Sequence, residues 1–119
     1  MRQYTVTYTE HAEFDLRGIY ECIALTLLVP ITAGNQLNRI INAIAGLNRM
    51  PERYRRYEKE PWRSMGLRVM PVGNYLVFYV PEELPSEPKG LVSVIRIIYK
   101  GRDINEELKQ TNLTDIEEL

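Results

Sequence analysis

One cysteine, one histidine and one tryptophan are all that this chain holds of those three residue types. A single thiol, Cys22, excludes a disulfide framework and fits a reducing compartment. With His11 as the only imidazole, there is no His/Cys set to hold zinc, and no metal or cofactor is expected. No glycine-rich loop leads into a helix, so a phosphate cradle is not expected. No apolar run approaches the roughly 18 residues of a membrane span. Met1-Arg2-Gln3-Tyr4 lacks the apolar stretch of a secretory signal, so the expected location is the cytoplasm and no membrane partner is expected. Cys22 lies next to Ile19 and Ile23 and reads as an inert core thiol. His11 reads as a surface or capping residue at a helix start.

What is present is ordinary for a globular domain: 45% apolar and 26% charged residues in 119 positions, enough for one core without metal or disulfide support. The formal charge of −1 conceals an asymmetry. Residues 103–119 carry six acids and one base, while residues 1–102 carry fourteen bases and ten acids. Seven of those bases lie between Arg49 and Arg68, against three acids. A mildly basic body thus carries an acidic tail. Such a basic stretch is either a solvated face or a surface for an acidic partner. The expected division is one domain over 1–110 and an acidic segment over 111–119.

Tyr4 to Thr9 alternates Tyr4, Val6 and Tyr8 with three threonines, which predicts a strand. Thr9 can cap the next element, and Glu10 and Glu13 suit a helix N-terminus. Ala12, Leu16, Ile19, Ile23 and Leu27 form one apolar stripe from Glu10 to about Leu28. Ala33, Leu37, Ile40, Ile44 and Leu47 form a second stripe, opened near Pro30 and closed by Pro51. The short connection predicts an antiparallel helical hairpin. Residues 52–65 read as a loop, Leu67–Met70 as a strand, 71–74 as a turn, Tyr75–Val80 as a central strand, 81–90 as a loop and Leu91–Tyr99 as the last strand. Residues 102–110 can add one or two helical turns, with the remainder fraying. The sum is an α+β fold, with the hairpin packed on a mostly antiparallel four-stranded sheet.

Arginine and tyrosine carry what chemistry there is. Arg68, Arg96, Lys100 and Arg102 lie on or beside the sheet, interleaved with Tyr75, Tyr79 and Tyr99. Strict alternation places Arg96 on one face with Val92, Val94 and Ile98. There it either pairs with a carboxylate or forms a cationic site of the kind that steadies phosphate charge.

The ordered set Tyr4 to Leu16, Leu47 to Pro51, Gly66-Leu67-Arg68-Val69, Gly73 to Tyr79 and Ile95 to Asp103 resembles the RelE/ParE superfamily of type II toxins, the plasmid stabilisation proteins. The resemblance implies a cognate antitoxin as partner in a toxin–antitoxin hetero-oligomer. It also implies growth inhibition by one of two routes, blocking DNA gyrase or cutting mRNA on the ribosome as a metal-independent endoribonuclease. For the ribonuclease route it implies Arg68 and Arg102 as catalytic residues, with Tyr99 at the place of a histidine in several relatives. Tyr75 stands where RelE has an arginine, and Leu108 falls near its terminal tyrosine. A normal tyrosine pKa of about 10 makes Tyr99 a poor base at neutral pH. These departures, together with the slight acidity, favour gyrase-type inhibition by binding, with mRNA cleavage as the alternative and an inactive or adaptor domain as the third. The target surface expected for a binding toxin is Arg53, Arg55, Arg56, Trp62, Arg63 and the segment from Lys100 onward.

Overall fold

A computed structural model describes residues 3–26 and 30–111. Strand β1 (Tyr4–Tyr8) leads into helix α1 (Glu10–Glu21). As the sequence suggested, Thr9 is the N-cap: its Oγ1 accepts from Ala12 N at 3.1 Å. The same hydroxyl donates to Ile95 O at 3.1 Å, so the cap also fastens the helix start to the sheet. A π-helical turn, Cys22–Thr26, follows α1, and helix α2 spans Pro30–Ala45. Two 3₁₀ turns, Gly46–Asn48 and Pro51–Arg53, precede strands β2 (Arg68–Val72), β3 (Tyr75–Glu82) and β4 (Gly90–Tyr99). Helix α3 covers Ile104–Lys109.

The sheet order is β1-β4-β3-β2, with β1 parallel to β4 and the other pairs antiparallel. One face receives the hairpin. Ala12, Ile40, Ile44 and Leu47 pack there with Val77, Tyr79, Val92, Val94 and Ile97. The opposite face is closed by Trp62, Leu67 and Leu108 over Val69, Phe78, Val80, Ile95 and Ile98. Ala12, Leu16 and Ile19 of the first stripe read from the sequence, and Ile40, Ile44 and Leu47 of the second, therefore pack with the sheet. Leu27 and Leu28 lie outside the described residues, and so do residues 112–119, whose fraying was expected.

Three expectations are corrected. The first helix stops being α-helical at Glu21, and Cys22 is exposed rather than in the core. It opens the wider π turn, which changes the helical phase just where the stripe pattern would have buried it. The turn expected over 71–74 is only Gly73-Asn74, because β2 runs through Pro71 and Val72. The N–H groups of Tyr57 and Val69 bond Leu67 O and Arg55 O across the outer edge of β2. Pro71, two residues beyond Val69, points its missing donor to that same outer side, where a strand tolerates proline. Gly73 takes φ +56°, a value that suits glycine at the first position of a two-residue hairpin.

The third correction concerns β4. Phe78 pairs with Arg96 but Tyr79 pairs with Val94, so Ile95 is a bulge. The extra residue breaks the alternation. Val92, Val94 and Ile97 face the hairpin, while Ile95 and Ile98 face the other way. Arg96 thus does not share a face with Val92 and Val94. At the end of the described residues, Thr111 is buried and its hydroxyl accepts from Arg96 Nη1.

Candidate functional site

Arg96 is 3% exposed and fully engaged. Its Nε donates to Asp15 Oδ2 at 2.7 Å and its Nη2 to Asp15 Oδ1 at 3.2 Å. Nη1 donates to Glu107 O at 2.7 Å, and Nη2 to Glu107 Oε1 at 3.2 Å. Asp15 also accepts from Ile97 N at 2.9 Å. Beyond the end of β1, where β4 has no strand on that side, this carboxylate takes the place of a ladder partner. Arg96 is therefore a structural tie between α1, β4 and α3, and not a free cationic site. Asp15 was not singled out in the sequence. Its signal was available: a carboxylate flanking one apolar stripe and a lone arginine inside another are complementary.

The basic stretch 49–68 is fixed from below by three sheet side chains. The Tyr79 hydroxyl donates to Pro51 O, and the Tyr4 hydroxyl to Glu52 Oε1 at 2.7 Å. Arg68 Nη1 donates to Glu52 O at 3.1 Å and Tyr54 O at 2.7 Å. Burial pushes the Tyr79 phenol well above the ordinary tyrosine range, with Arg68 and Arg53 working in the opposite direction. Tyr79 thus serves as a neutral hydrogen-bond donor. Arg53 turns back on the chain, donating to Met50 O at 3.2 Å and Gly46 O at 3.3 Å, and its guanidinium lies 4.9 Å from the Tyr54 ring centre. Met50, at φ 46°, is in the left-handed region that non-glycine residues rarely adopt. Arg55, Arg56 and Arg63 are exposed arginines between these fixed points, and Glu58, Lys59 and Glu60 are exposed beside them. Trp62 is only 7% exposed and anchors the loop beneath its surface.

The segment after β4 forms a second exposed area. Lys100 N donates to Asn74 O at 2.9 Å and Arg102 N to Tyr99 O at 3.0 Å. Tyr99 is exposed, and its ring meets Tyr75 edge-on at 5.8 Å. Gly101 lies under that ring: a Cβ there would come 2.4 Å from Tyr99 Cε2, so a side chain at 101 would push the exposed ring aside. The Arg102 side chain is 65% exposed, 3.8 Å from Glu107 Oε1.

The sheet register measures how far apart these areas are. Arg68 pairs with Tyr79, whereas Tyr99 pairs with Tyr75, four residues along β3. That offset is about 13 Å along the strands, and β2 and β4 are about 10 Å apart across β3. Arg68 is committed to two backbone carbonyls, and it is not brought together with Tyr99. Among the described residues no group of three or more His, Cys, Asp or Glu is placed to hold a metal ion. Nor is any helix among them long and apolar enough to cross a membrane.

The geometry agrees with comparisons to known proteins. Among curated protein sequences the chain has no match. Among solved structures it is similar to the chromosomal ParDE toxin–antitoxin system of P. aeruginosa, with a TM-score of 0.65 and 17% identity over 82% of this chain and 96% of that one. It is also similar to the toxin–antitoxin complex RelBE2 of Mycobacterium tuberculosis, with a TM-score of 0.58 and 20% identity over 82% and 98% of the two chains. At these identities the two structures bear on the fold. The family pattern described as the ParE toxin of the type II toxin–antitoxin system parDE matches residues 6–104. A match over that share of the sequence means that this chain belongs to the ParE toxin family of type II toxin–antitoxin systems.

Proposed function

We propose that this chain inhibits growth by binding its target rather than by cutting RNA, and that the target is DNA gyrase. The observation that carries this reading is the separation of Arg68 from Tyr99 in the sheet register. Acid–base chemistry on a phosphodiester needs its groups within hydrogen-bond reach of the same reacting atoms. Arg68 instead spends its guanidinium on holding the loop, as does Arg53. The surface left for a target is Arg55, Arg56 and Arg63, with Lys100 and Arg102 beyond the other end of the sheet. Arg53, Arg68 and Trp62 then act from within, by fixing the loop's shape.

The partner proposed is a cognate antitoxin, as the two solved relatives are described as toxin–antitoxin assemblies. The helical region offers it large apolar side chains open to water: Phe14, Leu25 and Ile31 are 67%, 69% and 81% exposed.

A supercoiling assay with purified gyrase tests the target. Inhibition at micromolar chain, weakened by Arg55→Ala with Arg56→Ala, is the expected result. Intact gyrase activity, with codon-phased cuts in mRNA from induced cells, would replace this reading with the ribonuclease one.

A further inference from the structure

The end of the sheet opposite the loop carries Lys100, Arg102 and, from helix α2, Arg39. A Cβ at Gly73 would meet Arg39 Nη1 at 3.5 Å and Gln36 Nε2 at 3.6 Å, so both side chains lie over the Gly73-Asn74 turn. Lys100 joins the same turn from β4, its N–H bonded to Asn74 O at 2.9 Å. Arg39 and Lys100 are exposed, and neither belongs to an ion pair among the described residues. In this they differ from Arg53, Arg68 and Arg96, whose guanidinium groups are spent on the fold.

Tyr75 and Tyr99 pair across β3 and β4 at this end. Tyr99 keeps 48% of its surface open to water while its ring meets Tyr75 edge-on. Burial pushes the Tyr75 phenol up, with Cys22 and Tyr99 adding to the effect, and no carboxylate contributes. The two acids that follow β4 are taken. Asp103 Oδ1 accepts from Glu106 N at 3.3 Å, and Glu107 binds Arg96. An open phenol ring beside uncommitted cations suits a single nucleic-acid strand, whose bases stack on aromatic rings and whose phosphates need positive charge. An acidic peptide would use the cations and leave the ring idle.

We propose that this end of the sheet binds single-stranded nucleic acid, with a base stacked on Tyr99 and the flanking phosphates on Arg39, Lys100 and Arg102. The set differs from the ribonuclease residues read from the sequence: Arg39 was not among them, and Arg68 takes no part. Binding here is independent of the target that the loop engages.

Fluorescence anisotropy of a short labelled oligo-dT with the full chain tests this without gyrase. The expected Kd is on the order of 10 µM at low salt. Tyr99→Ala should weaken binding about tenfold, while Tyr99→Phe, which keeps the ring, should not. Arg39→Ala with Lys100→Ala should lower the salt slope of log Kd by roughly 1.4, at about 0.7 per phosphate contact. Arg55→Ala with Arg56→Ala should change nothing. Oligo-U run in parallel identifies the source: tighter oligo-U makes the ligand RNA, tighter oligo-dT makes it DNA, and either upholds the site. Absence of binding, or unchanged affinity in Tyr99→Ala, would overturn the proposal. So would polyglutamate displacing the strand as readily as unlabelled oligo-dT, since that is the behaviour of a general polyanion patch.

Discussion

The two faces of the sheet are closed in different ways. On one, two amphipathic helices lay continuous stripes across the strands, and Ala12, Ala33, Ile40, Ile44 and Leu47 lose all contact with water. On the other, a loop with little regular structure and a six-residue helix cover the strands through Trp62, Leu67 and Leu108. A helix this short is not stable by itself. It stays because specific polar ties hold it: Tyr57 Oη to Asn105 Oδ1 at 2.8 Å, and Arg96 to Glu107. The comparison teaches that apolar periodicity secures one face, while point contacts secure the other and leave its stability open to single changes.

The largest effect should come from removing the shared tie. Arg96→Ala leaves the Asp15 and Glu107 carboxylates partly buried beside an empty site, at 11% and 18% side-chain exposure. Breaking a buried pair from one side costs about 3–5 kcal/mol, measurable as a lowered urea midpoint. A change below about 1 kcal/mol would mean that the network is solvated and the tie unimportant.

Next come Ile44→Ala and Leu108→Ala, one on each face. Each removes a fully buried side chain and should cost about 2–5 kcal/mol. They should differ in amide exchange. Ile44→Ala should weaken protection throughout the hairpin and sheet, whereas Leu108→Ala should lose it first in α3 and the loop. Identical patterns would mean that the two faces unfold as one unit.

Gly90→Ala probes where β4 begins. The new Cβ would come 2.4 Å from the Tyr4 ring and 2.8 Å from Glu82 O. Overpacking of this kind costs about 1–3 kcal/mol, and thermal denaturation would detect it.

Tyr79→Phe removes the donor to Pro51 O and should cost about 0.5–1.5 kcal/mol near neutral pH. It also has a pH signature. The folded pKa of Tyr79 lies above its unfolded value, so above pH 10 the unfolded chain releases a proton that the folded one keeps. Stability therefore falls as pH rises beyond that point, and the variant should flatten the decline by about 1.4 kcal/mol per pH unit. Unaltered steepness would mean that Tyr79 ionises normally. The smallest effect belongs to Arg102→Ala, whose exposed ion pair should contribute no more than about 0.5 kcal/mol to stability.

These differences track what could be read from the sequence. The hairpin stripes, the Thr9 cap and the central position of β3 follow from spacing alone, because period and capping are local properties. Three other features depend on distant parts of the chain. The bulge at Ile95 changes which face Arg96 serves. The π turn exposes Cys22. Trp62, in a stretch that reads as polar loop, is covered by a helix more than forty residues later.

By itself the sequence determined the element order, the sides of the helices that face the core, the turn glycine at 73 and the pattern that the ParE family shares. Those are set by residue spacing and backbone preference within a few positions. Tertiary structure alone decided that Arg96 finds Asp15 and Glu107, that Arg53 and Arg68 brace the loop from within, and that Arg68 and Tyr99 stand apart. A long cationic side chain takes whichever acceptors folding brings within hydrogen-bond distance, and no local spacing encodes which those are.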